Sequence, residues 1–338
     1  MAETKRLSYI SFLQFIGPIL VIIGHAMNGL EYNSILNPIK EWIYIFHMPL
    51  FFFISGYLFV YSNGLQRKGY KTFMKEKFWR LLFPYLVLNI IFVVPKFLSS
   101  TFINDKVEFS LEYFIYIFLA PRANIWGHLW FLFALFLVYA ISPIFGAVKN
   151  KNNKICWIVL ILFCIAIYIF KPIHTDWFAI NDLQKDLLFF VLGMLLTYVP
   201  INEIKNKLTG IRFALLLLLD IILSVLWGYH KDIQIIQLLV GIITIFILFS
   251  FPIIFNVKSK LIERQAKYSF AIYIMHWPVI LMVRILVYQI LNINSLISFF
   301  LMLLGGYLVP NLIIYIANKI KKKYNIGKSK VIYYLIGI

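Results

Sequence analysis

Long apolar runs separated by short polar connections recur from one end of the chain to the other. Their length and continuity predict an all-α fold, a polytopic transmembrane helical bundle of about ten spans. The spans are expected at residues 7–29, 42–61, 78–98, 126–148, 155–171, 183–199, 211–228, 234–255, 268–290 and 296–318. A helix rises about 1.5 Å per residue, so each run crosses, or nearly crosses, a hydrocarbon layer of about 30 Å. The runs at 155–171 and 183–199 are the shortest. A further apolar stretch, Leu111–Ala120, sits in the 96–125 connection. It is too short to span and is expected as an interfacial or re-entrant helix. No soluble domain interrupts the pattern, so residues 1–338 are expected to form one membrane-embedded domain, closed by a basic tail at 319–338.

Composition agrees with that pattern. The chain is 62% hydrophobic and 14% charged, against about 25% charged in soluble domains. The first apolar run follows a short basic segment and has no small-residue cleavage site behind it, so it is expected to be retained as a span. Aromatic residues such as Trp42, Trp79, Trp126, Trp177 and Trp227 fall at span ends, where they suit the membrane interface.

A net charge of +18 invites a nucleic-acid reading, but its distribution excludes one. Lys and Arg concentrate in alternate connections: the N-terminus, 62–77, 149–154, 200–212, 256–267 and the tail from Lys319. That alternation is a topology signal, and it places both termini in the cytoplasm. The tail lysines Lys319, Lys321, Lys322 and Lys323 suit anionic lipid. The two cysteines, Cys156 and Cys164, lie eight residues apart on one predicted helix. At about 12 Å they are too far apart for a disulfide.

Polar residues inside the apolar runs are the candidates for chemistry, because burying them in hydrocarbon needs a reason. His25 ends the first span, and Gln14 lies three helical turns before it on the same face, about 16 Å away. The pair reads either as a polar stripe for a threaded ligand or as a helix-packing stripe. His47 opens the second span and His128 the fourth, both on the side expected to face out, so three imidazoles from three helices can meet there. Histidine clusters serve as general bases or as metal ligands. Metal is disfavoured, because no HxxxH or HxH pair and no carboxylate at ligand spacing is present. His276 lies deep in the ninth span beside Trp277 and Pro278 and needs a partner. Arg80 follows the basic segment carrying Lys71, Lys75 and Lys77. It reads as a snorkelling cation or as a phosphate clamp at the cytoplasmic mouth. Asp220 and Arg284 are the remaining intramembrane charges.

Several segments in order resemble the integral-membrane acyltransferase-3 family, which modifies surface carbohydrates. They are VIIGH (Val21–His25), HMPLFFFISGYL (His47–Leu58), RLLFP (Arg80–Pro84), GHLWFL (Gly127–Leu132), FFVLGMLL (Phe189–Leu196) and YSFAIYIMHWP (Tyr268–Pro278). The resemblance covers nearly the whole chain. It implies an enzyme of the plasma membrane that takes acyl-CoA, acetyl-CoA by default, as co-substrate and uses no metal. The acceptor it implies is a hydroxyl of a cell-surface polysaccharide or of its lipid-linked precursor. It also implies His25 as the catalytic imidazole, acting as general base or acyl carrier, and cofactor contact at Gln14 and Arg80. Gln14 stands where the family usually has arginine. A neutral amide hydrogen-bonds a phosphate without offsetting its charge, which leaves that task to Arg6, Arg80 or the basic loop. His47, Ser55, His128, Trp130, Tyr273 and His276 are expected to line the substrate site and supply donors to the oxyanion. A separate accessory transferase is a further expected partner. The competing function is export of a polysaccharide or lipid-linked sugar, which polar residues in broken spans also suit. Against it, the chain shows no inverted repeat.

Overall fold

The computed structural model describes residues 7–31, 33–93, 111–123, 126–148, 154–208 and 210–324. Arg6 and the end of the basic tail, 325–338, lie outside the described residues. The described residues form helices and contain no strand. In chain order these are α1 (Ser8–Ala26), α2 (Leu36–Ser62), α3 (Gly64–Lys68), α4 (Tyr70–Lys77), α5 (Phe83–Ile91), α6 (Leu111–Leu119), α7 (Trp130–Ala140) and α8 (Ser142–Val148). There follow α9 (Lys154–Phe170), α10 (Ile180–Leu196), α11 (Ile201–Lys207), α12 (Ile211–Tyr229), α13 (Gln234–Ile254), α14 (Lys260–Ala266), α15 (Ser269–Val283) and α16 (Ser295–Tyr324). Short π-helical segments join α4 to α5 (Phe78–Leu82) and extend α15 (Arg284–Ile290).

Among the described residues six helices are long and apolar enough to cross a membrane: α1, α2, α12, α13, α15 with its π extension, and α16. Trp177–Leu196 with α11 makes a seventh, bent by 99°. The bend falls at Pro200, which has no N–H to continue a helix. Gly127–Ala140 and Lys154–Phe170 are apolar but shorter. The third expected span begins as a helix to Val93, and its remainder lies outside the described residues. The chain is a multi-pass membrane protein. The short apolar stretch forms α6, and the Ile117 carbonyl on it accepts a hydrogen bond from the Tyr85 hydroxyl of α5 at 2.5 Å.

The chain divides into two compact units, and α10 and α15 each contribute to both. The first comprises residues 1–62 and 189–273. Within it α1 packs on α2, α13 and α14, and α13 packs on α2, α11 and α12. At one point α2 and α10 approach closely. A Cβ on Gly56 would sit 1.9 Å from the Phe190 carbonyl oxygen, and one on Gly193 would sit 2.0 Å from that of Phe53. Small residues admit this approach where helices meet in lipid. Thr197 seals the crossing, donating to the Gly193 carbonyl at 3.2 Å and the Tyr57 carbonyl at 3.4 Å. Asp220, buried on α12, accepts from the Thr244 hydroxyl of α13 at 2.9 Å.

The second unit comprises residues 63–188 and 274–338. Here α7 packs on α4, α5 and the π turn between them. Arg122 forks both Asp182 oxygens, with Nε at 2.7 and 2.8 Å, and its guanidinium lies 4.2 Å from the Trp130 ring centre. A Cβ on Gly127 would meet the Arg122 carbonyl oxygen at 2.6 Å, so the backbone at these two residues approaches closely. Gln184 makes a pair of hydrogen bonds to the Ile173 backbone, donating to its carbonyl at 2.7 Å and accepting from its N–H at 3.1 Å. Arg284, on the π extension of α15, stands over Trp277 at 5.8 Å.

Ala at Gly56 or Gly193 should force α2 and α10 apart and destabilise the protein by about 1–3 kcal/mol or more. Gly228→Ala, where an added Cβ meets nothing within 4 Å, is the matched control. Thermal unfolding of the detergent-solubilised variants measures the difference.

Candidate active site

His25 sits on the last turn of α1, half-buried. The side of α2 that meets this turn carries Tyr44 and His47, one helical turn apart. The Tyr44 ring is edge-on to the His25 imidazole, with centres 6.4 Å apart, and tilted against that of His47 at 4.9 Å. The Tyr44 hydroxyl donates to the Gly24 carbonyl at 3.2 Å and accepts from Asn28 Nδ2 at 2.7 Å. His47 is buried, with Nδ1 2.9 Å from the Ile43 carbonyl. A carbonyl only accepts, so Nδ1 carries the proton, and in the neutral ring Nε2 is an acceptor.

Three further expected site residues belong to this unit. Gln14 lies half-buried on α1, three turns before His25. Ser55 lies half-buried on α2, two turns beyond His47. Tyr273, 2% exposed, packs its ring 5.9 Å from Phe51, whose ring tip lies 2.9 Å from where a Cβ on Gly17 would be.

The second unit holds the other expected residues. His128, at the turn leading into α7, has His276 as its imidazole neighbour, with rings 5.7 Å apart at 85°. Trp126 and Trp277 flank His128 at 5.5 and 5.8 Å. His276 is fully buried. Thus the structure brings His25 toward His47 in one unit and His128 toward His276 in the other. Trp130 is buried, and its ring carries the Arg122 guanidinium.

Arg80 is exposed on the π turn before α5, and the neighbouring Lys77 ends α4. Lys77 Nζ lies 3.8 Å from the Tyr139 ring centre and 5.0 Å from that of Phe73. Burial against these rings, with the Arg80 charge nearby, pushes its ammonium down to about 7. Among the described residues no group of three His, Cys, Asp or Glu side chains is placed to hold a metal ion.

Sequence reasoning missed Tyr44, Asn28, Arg122 and Asp182. Tyr44 was accessible in principle, because it precedes His47 by one helical turn and so shares its face. Arg122 and Asp182 are separated by 60 residues, and no local pattern links them.

A family model described as an acyltransferase domain matches residues 7–315. The chain is similar to nodulation protein NolL of Mesorhizobium japonicum, 30% identical over 144 residues, covering 41% of this chain and 35% of that protein. It is similar to nodulation protein NolL of Sinorhizobium fredii, 31% identical over 188 residues, covering 54% and 47%. Glucans biosynthesis protein C of Escherichia coli is 25% identical over 300 residues, covering 78% of this chain and 77% of that protein. The chain therefore spans 35% and 47% of the lengths of the two NolL relatives. No solved structure matches it significantly. The family match covers nearly the whole chain, and on that ground the chain belongs to the acyltransferase-3 family of acyltransferases.

Proposed function

We propose that the protein is an O-acyltransferase of the plasma membrane. It moves an acyl group, acetyl by default, from cytoplasmic acyl-CoA to a hydroxyl of a surface polysaccharide or its lipid-linked precursor. The observation that carries this reading is the family match over residues 7–315, with His25 inside it at the end of α1 beside Tyr44 and His47. The printed name of one relative, a glucans biosynthesis protein, supports a glycan as acceptor.

In this reading His25 takes the proton of the acceptor hydroxyl as its oxygen attacks the thioester carbonyl. The carbon–sulfur bond then breaks, and the imidazolium returns the proton to the leaving thiolate. An imidazole titrating near neutrality suits both transfers. The oxyanion needs N–H or O–H donors, and Ser55 and Tyr273, which share the unit of His25, are side chains that offer them. His47 is a weaker choice: its Nδ1–H is committed to Ile43, and Nε2 bears a proton only in the imidazolium. The donor's phosphates match the cationic side chains of Arg80, Lys77, Lys71 and Lys75.

His25→Ala at matched membrane abundance should abolish transfer, lowering it by a factor of about 100 or more. Mass spectrometry of surface glycans before and after mild alkali, which cleaves esters, reads this directly. The wild type should show an alkali-labile acyl mass that the variant lacks. Unchanged ester content with less polymer at the surface would favour export instead.

Lys77 adds a pH dependence. Its lowered ammonium is charged below about 7 and neutral above, so donor binding through it weakens as pH rises through that value. The KM for acyl-CoA should climb across neutrality in the wild type. Lys77→Gln should hold it at the high value throughout, and the comparison is made in membranes at constant ionic strength.

A further inference from the structure

The end of α1 is closed in an unusual way. The Gly24 carbonyl is one of the last four of the helix, which lack partners in the helical ladder. Its regular partner would be the Asn28 N–H, but that group turns to the His25 carbonyl at 3.1 Å. The Tyr44 hydroxyl of α2 takes its place, donating to the Gly24 carbonyl at 3.2 Å. The Asn28 side chain then returns from beyond the helix end and donates to that hydroxyl at 2.7 Å. So Gly24, Tyr44 and Asn28 form a closed tie around the residue between them, His25. Glycine is required at the first point, because a Cβ there would lie 2.6 Å from the Tyr44 ring. The same ring is edge-on to the His25 imidazole and lies against that of His47.

We infer that Tyr44 is a positioning residue: its hydroxyl, held by Asn28 and capping Gly24, fixes the last turn of α1 so that the His25 imidazole faces the acceptor hydroxyl. This rests on the proposal that His25 is the base. A hydrogen bond of this kind orients without touching substrate. Its loss lets a catalytic group drift, and small displacements of such a group are expensive in rate. Tyr44→Phe removes the tie and leaves the ring packing intact. Asn28→Ala removes it from the other side.

The test uses membranes containing the full-length protein and its native acceptor glycan. Thiol release from acetyl-CoA measures turnover. Carbethoxylation of His25 by diethyl pyrocarbonate, followed by peptide mass spectrometry, reports on the imidazole independently of activity. Both variants should lose turnover about tenfold while the acetyl-CoA KM stays within about twofold. His25 should be modified at a changed rate, and the melting temperature should stay near that of the wild type. Wild-type turnover and His25 reactivity in both variants, with His25→Ala inactive, would overturn the inference and leave the proposed function standing. A fall in melting temperature with unchanged turnover per folded molecule would overturn it too, because the tie would then be structural only. Full turnover in His25→Ala would overturn the proposed function itself.

Discussion

A backbone carbonyl or N–H inside a hydrocarbon layer has no water to turn to, so the protein must satisfy it internally. Helices meet that demand along their length and fail at their ends, where four carbonyls are left over. The chain answers the problem locally, with polar side chains that would otherwise be out of place among apolar neighbours. Tyr44 caps the end of α1. Gln184 makes two hydrogen bonds to the Ile173 backbone between α9 and α10. Tyr85 reaches the Ile117 carbonyl of α6. In the proposed reading, the tie at the end of α1 also sets the place of His25.

The same constraint shapes the charges. Asp182 is buried, and its carboxylate is neutralised by a bidentate guanidinium that itself rests on Trp130. Asp220 is buried on α12 and takes the hydroxyl of Thr244. Lys77 keeps its aliphatic stem and ammonium against Phe73 and Tyr139. In that setting the cation is only weakly favoured, which makes its charge responsive near neutral pH. The proposed transfer from acyl-CoA uses such divided conditions: a base close to neutrality for the hydroxyl proton, and cations for phosphates.

The helices were largely legible because continuous apolar runs leave the backbone few alternatives. Ser8–Ala26, Ile211–Tyr229 and Gln234–Ile254 fall close to the expected spans. The second helix starts earlier than its apolar run because the Asn33 carboxamide accepts from the N–H groups of Ile35 and Leu36, capping a polar first turn. The last runs on to Tyr324 because lysine is a good helix former and carries the α-helix past the apolar stretch. The run 126–148 divides at Ile141, just before Pro143, into two shorter helices. The histidines were legible one by one, as polar residues at improbable depth. Their partners were not. Which imidazole meets which depends on helix–helix crossings such as that at Gly56 and Gly193, and no single-helix pattern encodes those. One such pairing of imidazole rings is that of His128 with His276.

The most direct measurement of the account is a structure of the protein with a non-transferable acetyl-CoA analogue bound in a lipid nanodisc. The account predicts the acyl carbonyl beside the His25 imidazole. An acyl end far from His25, or polysaccharide threaded through the protein with no donor bound, would contradict it.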